Sequence, residues 1–353
     1  MKKKVVILAP LPPPAGGIAI WAEKMKKISL KQEWYVNIVD EKVIGGRQVF
    51  GDKTKKKLFT EIKRTIRIWK NLLKELKEND TYVVHSCIPA GYTSMLREFV
   101  CAILTKIHKK KFIVHFRCTI PNMINNKRTL AMLKKLCNKS DYIIVLNKIS
   151  YDYVKQITST YLKIIPNFID ENEFFLKRKI NKDIKKVLYV GGVVEEKGCL
   201  DIFKIAEHFP DITFELVGNY SSKMYDLSKN TKNVLLTGQL TKDIVNEKLK
   251  QADVFMFLSH YIGEGFSNAL VEAMAMGLPC IVTDWASNKD MIESNGGFVI
   301  NVNDVDGGIE ALRKLNDKSL REKMSKWNIE KVKKCYSSKI VTDMYVDFYE
   351  EII

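Results

Sequence analysis

Short apolar runs alternate with helix-period patterns along the whole chain. In the first half, residues 5–9, 35–39, 82–85, 112–115, 142–146 and 162–165 read as buried strands. In the second half the corresponding runs are 187–190, 213–217, 234–236, 254–258, 280–283 and 298–300. Strands that are apolar on both faces and separated by helices build parallel sheets covered on both sides. The expected fold class is α/β, with two Rossmann-like doubly wound units in tandem. Residues 167–186 turn polar and charged and read as the linker. The first domain is placed at 1–170 and the second at 171–335, with 336–353 packing back on the first.

Two helical patterns carry more than spacing. Over 53–78, Leu58, Ile62, Ile66, Trp69, Leu73 and Leu76 form a stripe expected to face the sheet. Lys55, Lys56, Lys57, Lys63, Arg64, Arg67, Lys70, Lys74 and Lys77 crowd the remaining surface. Over 339–353 the stripe is Ile340, Val341, Met344, Tyr345, Phe348 and Ile352.

Charge changes the reading of the first of these helices. The formal charge is +17, but residues 1–170 hold 33 Lys+Arg against 13 Asp+Glu, and residues 171–353 hold 25 against 28. The basic first half points to an anionic partner, either phosphate-rich lipid or nucleic acid. The basic residues lack interleaved aromatics at base-stacking spacing, and no nucleic-acid motif is present, so nucleic acid is not expected. An ordinary core helix with a solvated outer face is the plain reading of 53–78; attachment to an anionic membrane is the functional one. No stretch reaches the ~18–20 apolar residues that span a bilayer. The basic start resembles a secretory signal, but its apolar run is short and Pro10, Pro12, Pro13 and Pro14 end it. Seven scattered cysteines with no CxxC pair suggest neither zinc nor disulfides, and free thiols fit a cytoplasmic protein.

In an open α/β sheet, ligands bind beyond the carboxyl ends of the strands. The first strand there runs into Gly16-Gly17, and paired glycines before a helix let backbone N–H groups approach a phosphate. A tight turn is the alternative. The first strand of the second half runs into Gly191-Gly192, followed by Lys197-Gly198, and a lysine there suits a phosphate, though most loop lysines are simply solvated. Neither a Walker loop nor GxGxxG is present, so ATP and dinucleotides are not indicated. The third segment, 263–279, is the most specific: Ser267 or Asn268 can cap a helix, Gly277 can end it, and Pro279 prevents resumption. The N–H groups at its start would face the cleft. Glu264 precedes the helix and Glu272 lies about one turn inside it, so each carboxylate suits a vicinal diol. Glu272 is flanked by residues that read as buried, and a buried carboxylate needs partners.

This segment resembles the Glu, seven residues, Glu signature of glycosyltransferase family 4, retaining enzymes of the GT-B fold. The segment 140–147, the segment 164–170 with Phe174, Gly16-Gly17 and Lys197-Gly198 are similar to other parts of that pattern. The resemblance implies two Rossmann-like domains facing across a cleft. It also implies a metal-independent enzyme that moves a hexosyl unit from a nucleotide-diphosphate sugar to a glycan or lipid-linked acceptor, retaining configuration, in cell-surface polysaccharide biosynthesis. By position, Glu272 would hold the ribose hydroxyls, Glu264 would face the donor sugar, and Lys197 would meet the diphosphate. The backbone of Gly265, Phe266, Ser267 and Asn268 would touch sugar and phosphate, and His115 would be the cleft histidine near the reacting sugar. A strand-end histidine is otherwise often a core residue.

Three departures stand out. Gly192 replaces the arginine that helps hold the diphosphate, and Arg117 is the nearest candidate by chain position to compensate. Phe116 and Phe168 replace usual glycines. Asp304-Val305-Asp306 imitates a metal-binding Asp-x-Asp, but it is assigned no metal. The competing functions are a nucleotide-sugar epimerase of related fold and a non-enzymatic nucleic-acid-binding protein.

Overall fold

A computed structural model describes residues 2–13, 16–27, 33–42, 58–170 and 179–353. Met1–Asn167 and Val341–Ile353 form one compact unit, and Phe168–Ile340 the other. Unit 1 runs β1 (Lys3–Ala9), α1 (Gly17–Lys27), β2 (Trp34–Asp40), α2 (Leu58–Leu76), β3 (Thr81–Ile88), α3 (Tyr92–Ile107), β4 (Lys111–Phe116), α4 (Ile120–Met123), α5 (Lys127–Lys139), β5 (Tyr142–Val145), α6 (Lys148–Lys155) and β6 (Tyr161–Ile164). Unit 2 runs β7 (Lys186–Val190), α7 (Cys199–Glu207), β8 (Thr213–Val217), α8 (Ser222–Ser228), β9 (Val234–Gly238), α9 (Lys242–Gln251), β10 (Val254–Phe257), α10 (Asn268–Ala275), β11 (Cys280–Thr283), α11 (Asn288–Ile292), β12 (Gly297–Ile300), α12 (Val305–Lys314) and α13 (Lys318–Cys335). The last helix, α14 (Ser338–Glu351), brings Val341 and the residues after it into unit 1.

Both sheets are six-stranded, ordered β2-β1-β3-β4-β5-β6 and β12-β11-β10-β7-β8-β9. Their paired strands are parallel, as runs such as VVIL in β1 and VFMF in β10 require, because a strand apolar on both faces must be covered on both. Each order reverses direction once, between β1 and β3 in unit 1 and between β7 and β10 in unit 2. At such a switch point the loops after the two central strands diverge and leave a crevice for ligand.

The α2 stripe differs from the sequence expectation. Ile68, Leu72 and Leu76 are the buried positions, whereas Ile62 and Ile66 are 48% and 43% exposed. Phe59 is 66% exposed on the same outward row. Of the expected stripe, Leu76 is buried and Trp69 packs against the core, so the stripe is rotated toward Ile68 and Leu72 and leaves Ile62 and Ile66 outside. Residues 53–57, with Lys55, Lys56 and Lys57, lie outside the described residues, as does Phe174. In α14 the buried set is Val341, Tyr345, Val346, Phe348 and Tyr349, with Ile352 buried just past its end, while Ile340 is exposed. The basic start is also less open than its charge suggests: Lys4 is buried and paired with Glu75 at 3.1 Å, Asp80 at 3.3 Å and Glu78.

Candidate active site

Unit 2 assembles its site at the switch point. β7 and β10 pair side by side through Val254 with Val187 and Phe255 with Leu188, so their following loops emerge together. The first loop forms a 3₁₀ turn over Glu195–Lys197 and closes on Gly198, whose φ of +72° is left-handed. A Cβ on Gly198 would sit 2.0 Å from the Leu258 carbonyl oxygen, so both conformation and space demand glycine. The second loop is tied to the first by a bond from His260 N–H to the Glu196 carbonyl at 3.0 Å.

These ties bring Lys197 and Glu264 into an ion pair. Ser259 Oγ donates to the same Glu264 carboxylate oxygen at 3.2 Å, and Lys197 Nζ lies 4.7 Å from the centre of the Tyr261 ring. Ser267, rather than Asn268, caps α10: its side chain accepts from Leu270 N–H at 3.2 Å. Asn268 opens the helix, and Gly277, at φ +70°, follows its end. A Cβ on Gly277 would approach Ser325 Oγ to 2.5 Å. Phe266 is buried edge-on against Tyr336, with ring centres 5.2 Å apart. Glu272 is half-buried, and its partner is Lys242, whose Nζ is 2.5 Å from Oε1. The Gly192 carbonyl accepts from the Tyr189 hydroxyl at 2.8 Å. Asp304, first of the Asp-x-Asp pair, caps α12 by accepting from Gly307 N–H at 2.8 Å.

In unit 1, Gly17 begins α1, and among the described residues nothing lies within 4 Å of a Cβ added at Gly16 or Gly17. His115 sits near the end of β4, level with Cys87 on β3, and is fully buried. Its Nε2 is 3.2 Å from Arg117 Nη1, and its Nδ1 is 3.1 Å from His85 Nε2. His85 Nδ1 is 2.7 Å from the Tyr349 hydroxyl on α14. Arg117 Nη2 donates to Asn167 Oδ1 at 2.5 Å, and its guanidinium lies 4.6 Å from the centre of the Trp21 ring. Burial, with Arg117 adding to it, lowers His85 to about 3 and holds His115 well below the ordinary imidazole value. Both rings are neutral. Arg117 is thus engaged within unit 1 by His115 and Asn167.

Phe116 and Phe168 are buried, so each fills core space where a glycine would leave it open. The sequence reading did not single out His85, Tyr349, Trp21, Lys242 or Ser259. His85 had one available signal, its place two residues before Cys87 on an otherwise apolar strand.

Residues 170–331 match the model of "Glycosyl transferases group 1". The chain is 30% identical over 216 residues to a UDP-Gal:alpha-D-GlcNAc-diphosphoundecaprenol alpha-1,3-galactosyltransferase of Escherichia coli, covering 54% of each chain. It is 26% identical over 200 residues to the Staphylococcus aureus capsular polysaccharide biosynthesis glycosyltransferase CapM, covering 52% of each. The aligned region thus spans about half the length of these curated relatives. Among solved structures, sucrose-phosphate synthase of Thermosynechococcus elongatus aligns over 99% of both chains at TM-score 0.82 and 14% identity. Anabaena HepE in complex with UDP aligns over 99% of this chain and all of that one, at TM-score 0.76 and 13% identity. These likenesses show the fold, which is GT-B.

Proposed function

We propose that this chain, which belongs to the group 1 glycosyl transferases through residues 170–331, transfers a hexosyl unit from a nucleotide-diphosphate sugar to a glycan or lipid-linked acceptor. The observation that carries the reading is the Lys197–Glu264 ion pair at the switch point of the unit 2 sheet, at the start of the loop that leads into α10. A lysine and a helix N-terminus together favour a diphosphate. Glu264 would move from Lys197 to the sugar hydroxyls once phosphate takes up the lysine. Glu272, inside α10, would hold the ribose diol, and the backbone of Gly192, Gly265, Phe266, Ser267 and Asn268 would line the path between them. Among the described residues nothing lies within 4 Å of a Cβ at Gly16 or Gly17, and a phosphate would approach the backbone N–H groups there.

Transfer requires stabilisation of the charge that grows on the departing phosphate. Lys197 and the N–H groups of α10 would supply it, pre-oriented by the Gly198 turn and the Ser267 cap. We assign retention of configuration, with the departing phosphate oxygen taking the acceptor's proton. No metal is required by this scheme. Arg117, held on His115, Asn167 and Trp21, serves His115 rather than the diphosphate.

The acceptor is assigned to a membrane surface. Among the described residues no helix is long and apolar enough to cross a bilayer. α2 instead sets Phe59, Ile62 and Ile66 outward next to Lys63, Lys70 and Lys74. An apolar row flanked by lysines suits the inner face of an anionic membrane. We place the protein there, in cell-surface polysaccharide biosynthesis, without nucleic-acid partners.

The reaction is tested by incubating the protein with labelled nucleotide sugars and membranes from a polysaccharide-producing cell. Label transferred to lipid-extractable or polymeric product, with the donor's anomeric configuration in its NMR coupling, supports the reading. Donor converted to its epimer with no acceptor consumed would overturn it.

A further inference from the structure

We propose that Arg117 fixes the tautomer of His115, and that His85 and Tyr349 are positioning residues that receive the ring's N–H in a one-way row of hydrogen bonds and hold its orientation. The inference rests on the proposed transfer reaction and on the resemblance that makes His115 the cleft histidine near the reacting sugar, and it adds residues that neither names.

The direction of the row follows from one group. A guanidinium offers only donors. Arg117 Nη1 is 3.2 Å from His115 Nε2, so that nitrogen accepts. A neutral imidazole with an accepting Nε2 carries its proton on Nδ1. His115 Nδ1 therefore donates across 3.1 Å to His85 Nε2. His85 then carries its own proton on Nδ1 and donates across 2.7 Å to the Tyr349 hydroxyl. Reversing any member would set one N–H against another, ending at Arg117, where no reversal exists. At the far side, Arg117 Nη2 donates to Asn167 Oδ1 at 2.5 Å. The row thus runs from Asn167, where the chain leaves unit 1, to Tyr349, on the segment that has returned to it.

The surroundings keep both rings neutral. Cys87 Sγ is 4.0 Å from His115 Nδ1, and the Tyr345 ring lies 6.2 Å from that of His115. Burial pushes the Cys87 thiol and the Tyr345 phenol up, so neither supplies a negative charge. Trp21 packs on both histidines and under Arg117, the one charged group of the cluster.

The same atoms could be read as a metal triad, since ligand atoms of His85, Cys87 and His115 lie within 4.8 Å of one another. Arg117 decides against it. A metal on His115 Nδ1 would drive the ring proton to Nε2, directly against the Arg117 N–H.

The chain has only five histidines, so ¹⁵N-histidine labelling and two-bond ¹H–¹⁵N correlation spectra read each tautomer in the intact protein. His85 and His115, assigned with His85→Gln and His115→Gln variants, are expected as neutral Nδ1–H rings. Tyr349→Phe removes the last acceptor of the row, shifts the His85 resonances while Arg117 keeps His115 as the Nδ1–H ring, and lowers kcat roughly tenfold or more, with a smaller effect on donor KM. An Nε2–H ring at either position in the wild-type protein overturns the proposal, whether or not the variant folds. So does movement of both resonances on adding Zn²⁺, or a Tyr349→Phe protein with unmoved His85 resonances and unchanged kcat. The spectra need no substrate: expected tautomers without transfer would sink the proposed reaction alone, and active protein with Nε2–H rings would sink this row alone.

Discussion

Lys197 and Glu264, 67 residues apart in sequence, meet as an ion pair whose side chains are each only about one-tenth exposed, at 12% and 11%. The sequence reading gave the two separate tasks, one for phosphate and one for sugar. Because they are paired, a donor that engaged either side chain in those tasks would have to break the contact. Lys197→Ala would remove a charge-assisted contact worth roughly 1.5–3 kcal/mol, or about 10- to 150-fold in kcat/KM for donor. Glu264→Ala should be similarly costly. Because the residues touch, the double variant should lose less than the sum of the singles. Steady-state kinetics on the four proteins measures the coupling, and strict additivity would contradict the shared role.

Glu272 and Lys242 make a more exposed pair, with side chains 15% and 43% exposed and 2.5 Å between them. If Glu272 holds the ribose diol, the wild-type protein should bind a nucleoside diphosphate more tightly than its 2′-deoxy form. Glu272→Ala should bind the two alike. Calorimetric titration checks this, and a wild-type protein indifferent to the 2′-hydroxyl would refute the assignment.

The two faces of α2 separate stability from attachment. Leu72→Ala, at a fully buried position, should cost about 2–5 kcal/mol in urea unfolding. Ile62→Glu and Ile66→Glu lie on the exposed row and should stay within about 0.5 kcal/mol. They should nevertheless lose flotation with anionic liposomes. Equal flotation with neutral lipid, or flotation unaffected by either change, would count against the surface.

A buried acid cluster in unit 1 sets a pH dependence. Arg97 bridges Glu41 at 2.7 Å and Glu98 at 2.6 Å, and Ser86 donates to Glu98 at 2.8 Å. Burial first, and then the Glu98 charge, push Glu41 up to about 8. The folded protein therefore holds a proton that the unfolded chain releases near 4.5. The resulting stability is fully present below that lower value and is lost as pH rises through about 8. Glu41→Gln should remove this decline. Urea midpoints between pH 5 and 9 test it, and parallel pH curves for wild type and variant would be the contrary result.

Much of unit 2 was legible because its signals are local. A capping serine, a left-handed glycine and a proline punctuate α10, and strand–loop–helix order places Lys197 and Glu264 each beyond a strand end, while their meeting rests on the β7–β10 crossover. Two kinds of information were not local. In α2 the apolar positions spread over a broad face from Ile68 and Leu72 through Leu76 and Trp69 to Ile62 and Ile66, and only tertiary packing decides which edge of it is covered. The His115 environment depends on the register of β3 against β4 and on a helix more than two hundred residues later, so no motif announced His85 or Tyr349. Arg117 stands out in the sequence as a cation close to His115, but its partners follow from the same three-dimensional closure.

The most direct test of the central claim is a thermal-shift series with UDP-, GDP- and ADP-sugars on the wild-type protein and on Lys197→Ala and Glu272→Ala. The account predicts that one base class raises Tm in the wild type and that the rise is lost or strongly reduced in both variants. No shift with any nucleotide sugar, or an equal shift in all three proteins, would contradict it.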